Sequence, residues 1–479
     1  MSRIERIKPI HTAIAAPGAG KTEALLSKLP TLISSGKRLV LAIPTLALSD
    51  EIIQRASSKE IPCRTIDHRD GELVVRSLEK ALEEKVDNFI VCTQESIRRV
   101  RPSLLHGWIL VLDELPNVVD YPDYPIKPSE IPRILQFTVE RDGQLWIIDG
   151  LEEKVREQVS TNRADARGTA CSTLGSSAAN IFRLLLSEVE VFIDQPMSDG
   201  TRHIRAVEEY LDWWEIFSSA IESHVLAASI KNSEFEVFAQ VHGFRFVDSE
   251  FTSEWQPVSN LVTICPVVPN GQKFSKATMI AEHEDKRLID IVLATTMEHV
   301  RSTPLLLANK WAGFSTTRSV VYVDKDCRGL NSYANATEVI VLFGGNPSPS
   351  EGRGLAYLKA KYGRDFEEAF ITNRLLEPTL QAVTRTAVRS RDNVKKASFY
   401  VQDYRVVDYL LSTYFPDATV DWSLAYTIPS RRDGRRLDEQ TEKEVKRLIS
   451  LETSALEIHR QTGVSRKKIQ KMKEAYKAA

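Results

Sequence analysis

The stretch Ala15-Ala16-Pro17-Gly18-Ala19-Gly20-Lys21-Thr22 stands between an apolar strand candidate, Ile10–Ala15, and a helix candidate, Thr22–Leu29. A glycine-rich turn that leads from a strand into a helix can direct backbone N–H groups at phosphate oxygens. In such a loop, Lys21 reaches the β- and γ-phosphates and the Thr22 hydroxyl binds Mg²⁺. The common pattern begins with glycine, where this chain has Ala15. The alternative is a turn without a ligand, but both flanks fit, and we predict a site for ATP and Mg²⁺ (Pro17, Gly18, Ala19, Gly20, Lys21 and Thr22).

The composition is that of an ordinary globular chain with about three domains of roughly 150 residues. Of its 479 residues 42% are hydrophobic and 27% charged, and the formal net charge is −2. A nucleic-acid partner must therefore be argued from local basic surface. The five cysteines form no C-x-x-C pair, which argues against a zinc site and suits a reducing compartment. Because neither a signal peptide nor an apolar run of about 20 residues is found, we expect no membrane span and a cytoplasmic protein, in the host cytoplasm if it is viral.

Residues 1–155 alternate short apolar runs with amphipathic stretches. Strands that alternate with helices predict a parallel sheet covered on both faces, here a first α/β lobe. Its strand candidates are Ile10–Ala15, Arg38–Ile43, Phe89–Thr93, Trp108–Leu112 and Gln144–Ile148.

The remainder of the chain is predicted in four parts. Residues 156–260 carry helical patterns and are expected to form a mainly helical insertion. Residues 261–295 are expected to return to the first lobe, with strand candidates Leu261–Cys265 and Lys276–Ile280. Residues 296–428 resume α/β character and predict a second lobe, and residues 437–479 predict a helical tail after a basic linker. The strand candidates of the second lobe are Ser319–Val323, Glu338–Phe343 and Ala397–Val401.

Two acids follow the apolar strand candidate Trp108–Leu112. Asp113, at the carboxyl end of that strand, can hold Mg²⁺ through water, and Glu114 can orient and deprotonate an attacking water. A strand that merely ends in solvated acids is the alternative for this stretch taken alone. Together with the phosphate-binding loop, the two acids indicate a site that hydrolyses a nucleotide.

With these motifs the chain resembles the superfamily 2 helicases and translocases, the DEAD/DEAH-like P-loop ATPases. The segment 42–48, with Pro44 and Thr45, and the segment 91–95, with Thr93, look like the stretches that hold phosphates of one nucleic-acid strand in that family. The segment 327–332 looks like the family's motif V, with Arg328 as a nucleic-acid contact and Asn331 in place of the usual acid. The resemblance implies two RecA-like lobes with ATP between them. The unusual Asp-Glu-Leu-Pro form suggests a divergent branch, of phage or mobile-element type.

A further stretch, 381–389, resembles motif VI of the same family. Gln381, Arg385 and Arg389 are four residues apart and predict one face of a helix, although Thr384 replaces the family's glycine and Arg389 comes one residue late. An arginine that faces the nucleotide from the second lobe stabilises charge on the transferring phosphoryl group. The alternative is an exposed basic helix.

Two stretches compete for the place of motif III, which couples hydrolysis to movement in the family. Ser275-Lys276-Ala277-Thr278 resembles the family's S-A-T and is the preferred candidate. Asp149-Gly150 lies at a more usual distance from Asp113 and is the alternative.

The tail has the form of a helix-turn-helix, because Gly463 provides a turn and Ser465 can cap a second helix. Val464 and Ile469 are predicted to pack inward. The second helix carries basic residues that can neutralise phosphates, which favours DNA over RNA (Arg466, Lys467, Lys468 and Lys471). A helical tail with a solvated basic face is the alternative.

These features predict an ATP-dependent helicase or translocase acting on DNA in replication or recombination, with replication proteins as further partners. One alternative is a DNA-packaging ATPase with a nuclease domain, since Asp324 and Asp326 follow a strand candidate and resemble a metal-binding carboxylate pair. Another is a DNA-binding regulator that uses ATP as a switch.

Overall fold

The structure is a computed structural model. It describes residues 9–67, 73–165, 176–283, 285–314, 319–324, 333–428, 439–451, 453–462, 464, 469, 470, 472 and 473. The strands, in chain order, are β1 (Ile10–Ile14), β2 (Arg38–Ile43), β3 (Arg64–Ile66), β4 (Phe89–Thr93), β5 (Trp108–Asp113), β6 (Val119–Asp120), β7 (Asp123–Ile126), β8 (Thr138–Arg141), β9 (Gln144–Ile147), β10 (Val191–Ile193), β11 (Arg202–Ala206), β12 (Glu208–Glu209), β13 (Glu222–Ala227), β14 (Phe246–Asp248), β15 (Val262–Pro266), β16 (Glu282–His283), β17 (Lys286–Arg287), β18 (Leu305–Ala308), β19 (Val321–Tyr322), β20 (Glu338–Leu342), β21 (Ala397–Val401) and β22 (Thr419–Val420).

The α-helices, in chain order, are α1 (Lys21–Ser34), α2 (Leu46–Ser58), α3 (Val74–Glu84), α4 (Gln94–Arg98), α5 (Ile131–Leu135), α6 (Glu152–Asp165), α7 (Ser176–Leu186), α8 (Asp212–Ser219), α9 (Glu234–Val241), α10 (Lys276–Met279), α11 (Leu288–His299), α12 (Pro349–Tyr362), α13 (Glu367–Ile371), α14 (Glu377–Val383), α15 (Tyr404–Thr413), α16 (Ser423–Thr427), α17 (Glu439–Ser450) and α18 (Ala455–Thr462). A π-helical turn, Thr372–Leu376, joins α13 to α14. None of the described helices is long and apolar enough to cross a membrane.

The first lobe is built on a seven-stranded parallel sheet in the order β14-β1-β13-β5-β2-β4-β3. Its central strands β2 and β5 are almost completely buried, as expected for strands covered on both faces. On one face α1 and α2 pack through Leu25, Leu29 and Ile52. On the other face α8 contributes the buried tryptophans Trp213 and Trp214.

The second lobe is built on a six-stranded parallel sheet in the order β19-β18-β20-β21-β15-β22. The predictions of β20 and β21 are confirmed to within one residue at each end. The edge strand β19 is shorter than predicted, because only Val321–Tyr322 pairs with β18. Two α/β lobes with parallel sheets are thus present, as the sequence predicted.

The insertion differs from the prediction. It is a five-stranded antiparallel sheet, β7-β11-β10-β9-β8, with α5, α6 and α7 packed on it around a core of its own that includes Ile181 and Phe182. Strands β6 and β12, which precede and follow this sheet in the sequence, pair as a two-stranded antiparallel ribbon. The expectation of a mainly helical insertion over residues 156–260 is wrong because its strands are only three to five residues long, too short to display alternation.

Two strand assignments change with it. The predicted strand Gln144–Ile148 exists as β9, but it lies in the antiparallel sheet and not in the first lobe. Strand β13, predicted as part of a helix, lies between β1 and β5 in the first sheet, where both neighbours pair with it in parallel. Short buried apolar runs of this kind do not reveal by periodicity alone whether they form a helix or a strand.

Residues 261–295 do not return to the first lobe. Strand β15 pairs with β21 and β22, so this segment opens the second sheet. The predicted strand Lys276–Ile280 is the short helix α10, because the hydroxyl of Ser275 accepts a hydrogen bond from the Thr278 N–H and caps the helix N-terminus.

The tail has a small apolar core formed by α17, α18 and the residues that follow. Val464 and Ile469 are both buried in it together with Val445, Leu448 and Ile458. Their predicted inward packing is confirmed. The basic residues Arg466, Lys467, Lys468 and Lys471 and the turn residues Gly463 and Ser465 lie outside the described residues, so the helix-turn-helix stays a prediction.

Candidate nucleotide-binding site

The loop that the sequence predicts to bind phosphate connects β1 to α1, as expected, and is called the phosphate-binding loop below. Gly18 and Gly20 have φ angles of 82° and 92°, in the left-handed region that favours glycine. Ala15 does not have a positive φ, which explains why alanine replaces the usual first glycine. The ammonium of Lys21 donates to the carbonyls of Ala15 at 2.6 Å and Ala16 at 3.2 Å. The lysine side chain therefore lies over its own loop.

The acids lie directly opposite this loop. The Thr22 hydroxyl donates to Oδ2 of Asp113 over 3.2 Å, at the carboxyl end of β5. Burial raises the pKa of the Asp113 carboxyl, while the charge of Lys21 lowers it. Burial also lowers the pKa of Lys21, against the charges of Asp113, Glu114 and Glu377. Burial of either charge alone therefore costs free energy, and the opposite charge of the other group offsets part of that cost.

Thr22 and Asp113 fit a magnesium ion. Mg²⁺ takes oxygen ligands, keeps several waters and binds through one or two protein groups together with phosphate oxygens. A hydroxyl and a carboxylate that contact each other beside the phosphate-binding loop can supply the protein's part of that set. A group of three or more potential metal ligands is absent from the described residues, and a dedicated protein cage is not what Mg²⁺·ATP requires.

Glu114 is held in a strained backbone conformation, with a φ of 74°. Its N–H donates to the carbonyl of Leu226 at 2.8 Å, and its carbonyl accepts from the Gln94 side-chain amide at 3.1 Å. The same amide donates to the carbonyl of Asp113 at 3.0 Å. Gln94 therefore fixes the backbone of both acids, a role that the sequence did not indicate because the two stretches are 19 residues apart.

The second lobe supplies the other side of the cleft. Gln381, Arg385 and Arg389 line a cavity of about 340 Å³ together with Lys21 and Asp113. The expectation that the three lie on one helix is wrong, since α14 ends at Val383 and Arg389 lies in a separate 3₁₀ turn, Ala387–Arg389. Arg385 and Arg389 nevertheless both line the cleft.

Arg389 packs directly on the phosphate-binding loop. A Cβ atom built on Gly18 would lie 2.7 Å from Cγ and 2.8 Å from Nε of Arg389. A glycine is therefore required at position 18 for two reasons, the positive φ angle and the close approach of Arg389. Arg391, Glu51 and Arg55 also line the cleft, the last two from α2. No motif had indicated them.

The predicted nucleic-acid contacts of the first lobe lie at the carboxyl ends of neighbouring strands. Pro44 and Thr45 follow β2, and Thr45 occupies the N-cap position of α2. Thr93 ends β4 and caps α4, accepting from the Ser96 N–H at 3.1 Å. Arg328 lies outside the described residues. Parallel pairing of β2, β4 and β5 brings these residues to the edge that also carries Asp113.

Neither motif III candidate lies beside Asp113 in the first sheet. Asp149-Gly150 follows β9 of the insertion, and Ser275 caps α10 on the second lobe. The carboxyl end of β13, with Ala228 and Ser229, lies next to the acids instead. The Tyr414 hydroxyl of the second lobe donates to the carbonyl of Ala228 at 2.5 Å. The segment that follows β13 therefore lies beside the acids and contacts the second lobe. The spacing of motifs in the sequence did not identify it.

The carboxylate pair of the nuclease alternative is described only in part. Asp324 follows the edge strand β19, whereas Asp326 lies outside the described residues. Around Asp324, the described residues form no cluster of metal-ligating side chains. The structure therefore offers this alternative no support.

Comparison with known proteins agrees with this architecture. The chain is similar to the solved structure of Xpd4 from S. tokodaii, with 12% identity, a TM-score of 0.52, and coverage of 86% of this chain and 96% of the other. It also matches a structure described as an XPD helicase, at 11% identity and a TM-score of 0.49 with the same coverages, and Mss116p bound to ssRNA and AMP-PNP, at 13% identity and a TM-score of 0.36, covering 96% of this chain and 80% of the other. No protein-family model and no curated protein sequence matches.

The fold class follows from the first of these likenesses. The chain shares the two-lobed α/β fold of the Xpd4 structure, with a mixed α/β insertion after the two acids of the first lobe.

Proposed function

We propose that this chain is an ATP-dependent nucleic-acid helicase or translocase. The observation that carries the proposal is the composition of the cleft. Lys21, Thr22 and Asp113 come from one lobe, Gln381 and Arg385 from the other, and all five line the same cavity. A nucleotide bound there contacts both lobes, so its hydrolysis changes how they are held together.

The chemistry divides between the lobes. Thr22 and Asp113 would hold Mg²⁺, which would neutralise phosphate charge and polarise the γ-phosphoryl group of bound ATP. The ammonium of Lys21 would leave the carbonyls of Ala15 and Ala16 to contact the phosphates. Glu114, whose backbone is fixed from both sides, orients and deprotonates the attacking water. Arg385 and Arg389 stabilise the charge that develops on the γ-phosphoryl oxygens.

The nucleic-acid strand runs over Pro44, Thr45, Thr93 and Arg328 in this proposal. DNA is the proposed substrate, in replication or recombination, because the tail carries the basic residues Arg466, Lys467, Lys468 and Lys471. A compact apolar core in the described part of that tail supports an independent binding module. Membership of a phage or mobile-element branch and contacts with replication proteins belong to the same proposal.

The decisive experiment measures steady-state ATP hydrolysis by the full chain with no nucleic acid, single-stranded DNA, duplex DNA or single-stranded RNA. A motor on DNA hydrolyses ATP slowly alone and is stimulated most by one of the DNA forms. Stimulation by RNA only would replace DNA as the substrate. The absence of Mg²⁺-dependent hydrolysis under all four conditions would refute the motor itself.

A further inference from the structure

A carboxylate of the second lobe lies behind Gln381, at the rear of the cleft. The Oε1 atom of Glu377 accepts a hydrogen bond from the Gln381 side-chain amide at 3.1 Å. Its Oε2 atom accepts from the Tyr409 hydroxyl at 2.9 Å. Both oxygens are thus engaged, and neither the phosphate-binding loop nor the motifs of the second lobe had indicated this residue.

This arrangement fixes the direction of the Gln381 amide. The Nε2 end of the amide is the end that contacts Oε1 of Glu377, as the ionised carboxylate requires, because it only accepts hydrogen bonds. The carbonyl oxygen of Gln381 is then the end left for the cleft, where it can accept a hydrogen bond from water. If the acceptor at Glu377 were lost, the amide could turn and present its NH₂ end instead.

The charge of Glu377 also interacts with the charge of Lys21 in the phosphate-binding loop. Burial raises the pKa of Glu377, whereas its two hydrogen bonds and the charge of Lys21 lower it. Glu377 is likewise one of the three acids whose charges favour the ammonium form of Lys21. Its partner Tyr409 also lies close to the side chain of Ser229, beyond the end of β13 in the first lobe. The Glu377 carboxylate therefore lies beside Gln381 of its own lobe and near the first lobe.

We propose that Glu377 is a positioning residue for the hydrolytic step, holding the Gln381 carbonyl oxygen toward the water that attacks the γ-phosphate. The inference rests on the proposed ATP hydrolysis at this cleft and names a residue outside the motifs. Glu377 itself touches neither nucleotide nor water. Its effect therefore falls on turnover and not on ATP binding.

The chain contains a matched control. Glu234 of α9 accepts from the Tyr121 hydroxyl at 3.0 Å and from the Asn373 side-chain amide at 2.8 Å. It is 2% exposed, lies between the lobes and has the same kinds of partner as Glu377. It is not among the residues of the cleft. Replacing it removes the same hydrogen bonds without reorienting Gln381.

The test compares Glu377→Met with Glu234→Met in the full chain, measuring kcat and KM for ATP with the nucleic acid that stimulates the wild type most. Methionine is close to glutamate in length and has no oxygen to accept from the amide of Gln381, whereas glutamine would keep one acceptor. Removal of one oriented group at a hydrolytic site lowers kcat by at least about tenfold. We expect that loss for Glu377→Met with KM within about twofold, as for an interaction made only in the transition state. We expect Glu234→Met to retain the wild-type kcat. Tyr409→Phe, which removes one of the two donors, should give a smaller fall in kcat in the same direction.

Two results overturn the proposal. One is a wild-type kcat in Glu377→Met, and the other is an equal fall in both Met variants, which would indicate only loosened contact between the lobes. If Glu377→Met does not fold, as judged by its thermal unfolding midpoint, Tyr409→Phe decides, and an unchanged kcat there also overturns it. Absence of hydrolysis in the wild type refutes the proposed function instead, so the two failures are distinguishable.

Discussion

The Thr22 hydroxyl donates a hydrogen bond to Asp113 over 3.2 Å, although the two residues are 91 positions apart in the sequence. One opens α1 and the other ends β5, so the contact exists because β13 aligns β1 and β5 in the same parallel sheet. It joins the helix that follows the phosphate-binding loop to the acid that can hold Mg²⁺. This half of the cleft is therefore held together by a hydrogen bond within the protein.

Lys21→Ala is expected to abolish ATP turnover while leaving the fold intact, because no other side chain of the loop carries a positive charge for the phosphates. Hydrolysis and the thermal unfolding midpoint are the two measurements. Lys28→Ala is the control, since Lys28 lies on the same helix and pairs with Glu250 at the surface. Wild-type turnover in Lys21→Ala would show that the loop does not hold ATP.

Asp113→Asn is expected to lower ATP hydrolysis at least tenfold, on the order expected when a metal ligand loses its charge. Hydrolysis should recover partly at high Mg²⁺. Asp87→Asn, which changes an ion pair with Arg64 in the same lobe, should leave hydrolysis unchanged. Equal Mg²⁺ dependence of wild type and Asp113→Asn would contradict the metal assignment.

The same Asp113→Asn change should not destabilise the nucleotide-free protein at neutral pH. Burial raises the pKa of Asp113 in the folded state above its unfolded value of about 3.9. The cost of the charged form is therefore absent below that value and develops as the pH rises through the raised folded pKa. Urea unfolding of wild type and variant at pH 7 and pH 4 measures this cost. A variant that is less stable than the wild type only at pH 7 would contradict the predicted direction of the effect.

Gly18→Ala is expected to be more harmful than the same change at Gly36. Both glycines have a left-handed φ, 82° and 80°, so both variants incur roughly 1–2 kcal/mol of backbone strain. Only Gly18 has Arg389 within 3 Å of the new Cβ, whereas Gly36 has nothing within 4 Å. Unfolding free energy and ATP hydrolysis should both separate the variants. Identical behaviour would mean that Arg389 does not pack on the loop in solution.

Arg385→Ala is expected to lower kcat by at least about 100-fold with little change in nucleotide affinity, because the arginine acts on charge that develops during the reaction. Hydrolysis rates and binding of a fluorescent nucleotide separate the two effects. Arg364→Ala removes an exposed arginine of the same lobe that contacts Gln240, and it should behave like wild type. A pure loss of affinity in Arg385→Ala would assign the residue to ground-state binding.

Removal of residues 429–479 is expected to weaken DNA binding by roughly tenfold or more at low salt while leaving hydrolysis without DNA within about twofold. The described part of the tail has its own apolar core and contributes no residue to the cleft, which is why the two properties should separate. Binding to a labelled duplex at two salt concentrations measures the effect. Unchanged affinity and salt dependence would remove the role proposed for the tail.

Much of the first half of the site could be predicted from the sequence because its signals are local. A glycine-rich turn before a helix fixes Gly18, Gly20 and Lys21 within a few residues, and an apolar strand ending in Asp113-Glu114 needs no distant information. Strands β2, β4 and β5 of the first lobe and β20 and β21 of the second were predictable for the same reason, since continuous buried runs mark them. Strand β13 was not, and the strands of the insertion are too short to display alternation.

By itself, the sequence determined which residues can bind phosphate, metal and water, because those properties belong to side-chain chemistry and local backbone conformation. Only the tertiary structure decided which of them meet. Sheet pairing placed β13 beside the acids and moved β15 to the second lobe, and a break after Val383 rather than a continuous helix brought Arg389 onto Gly18. Pairing partners and lobe contacts depend on the summed packing of segments hundreds of residues apart, which no local pattern encodes.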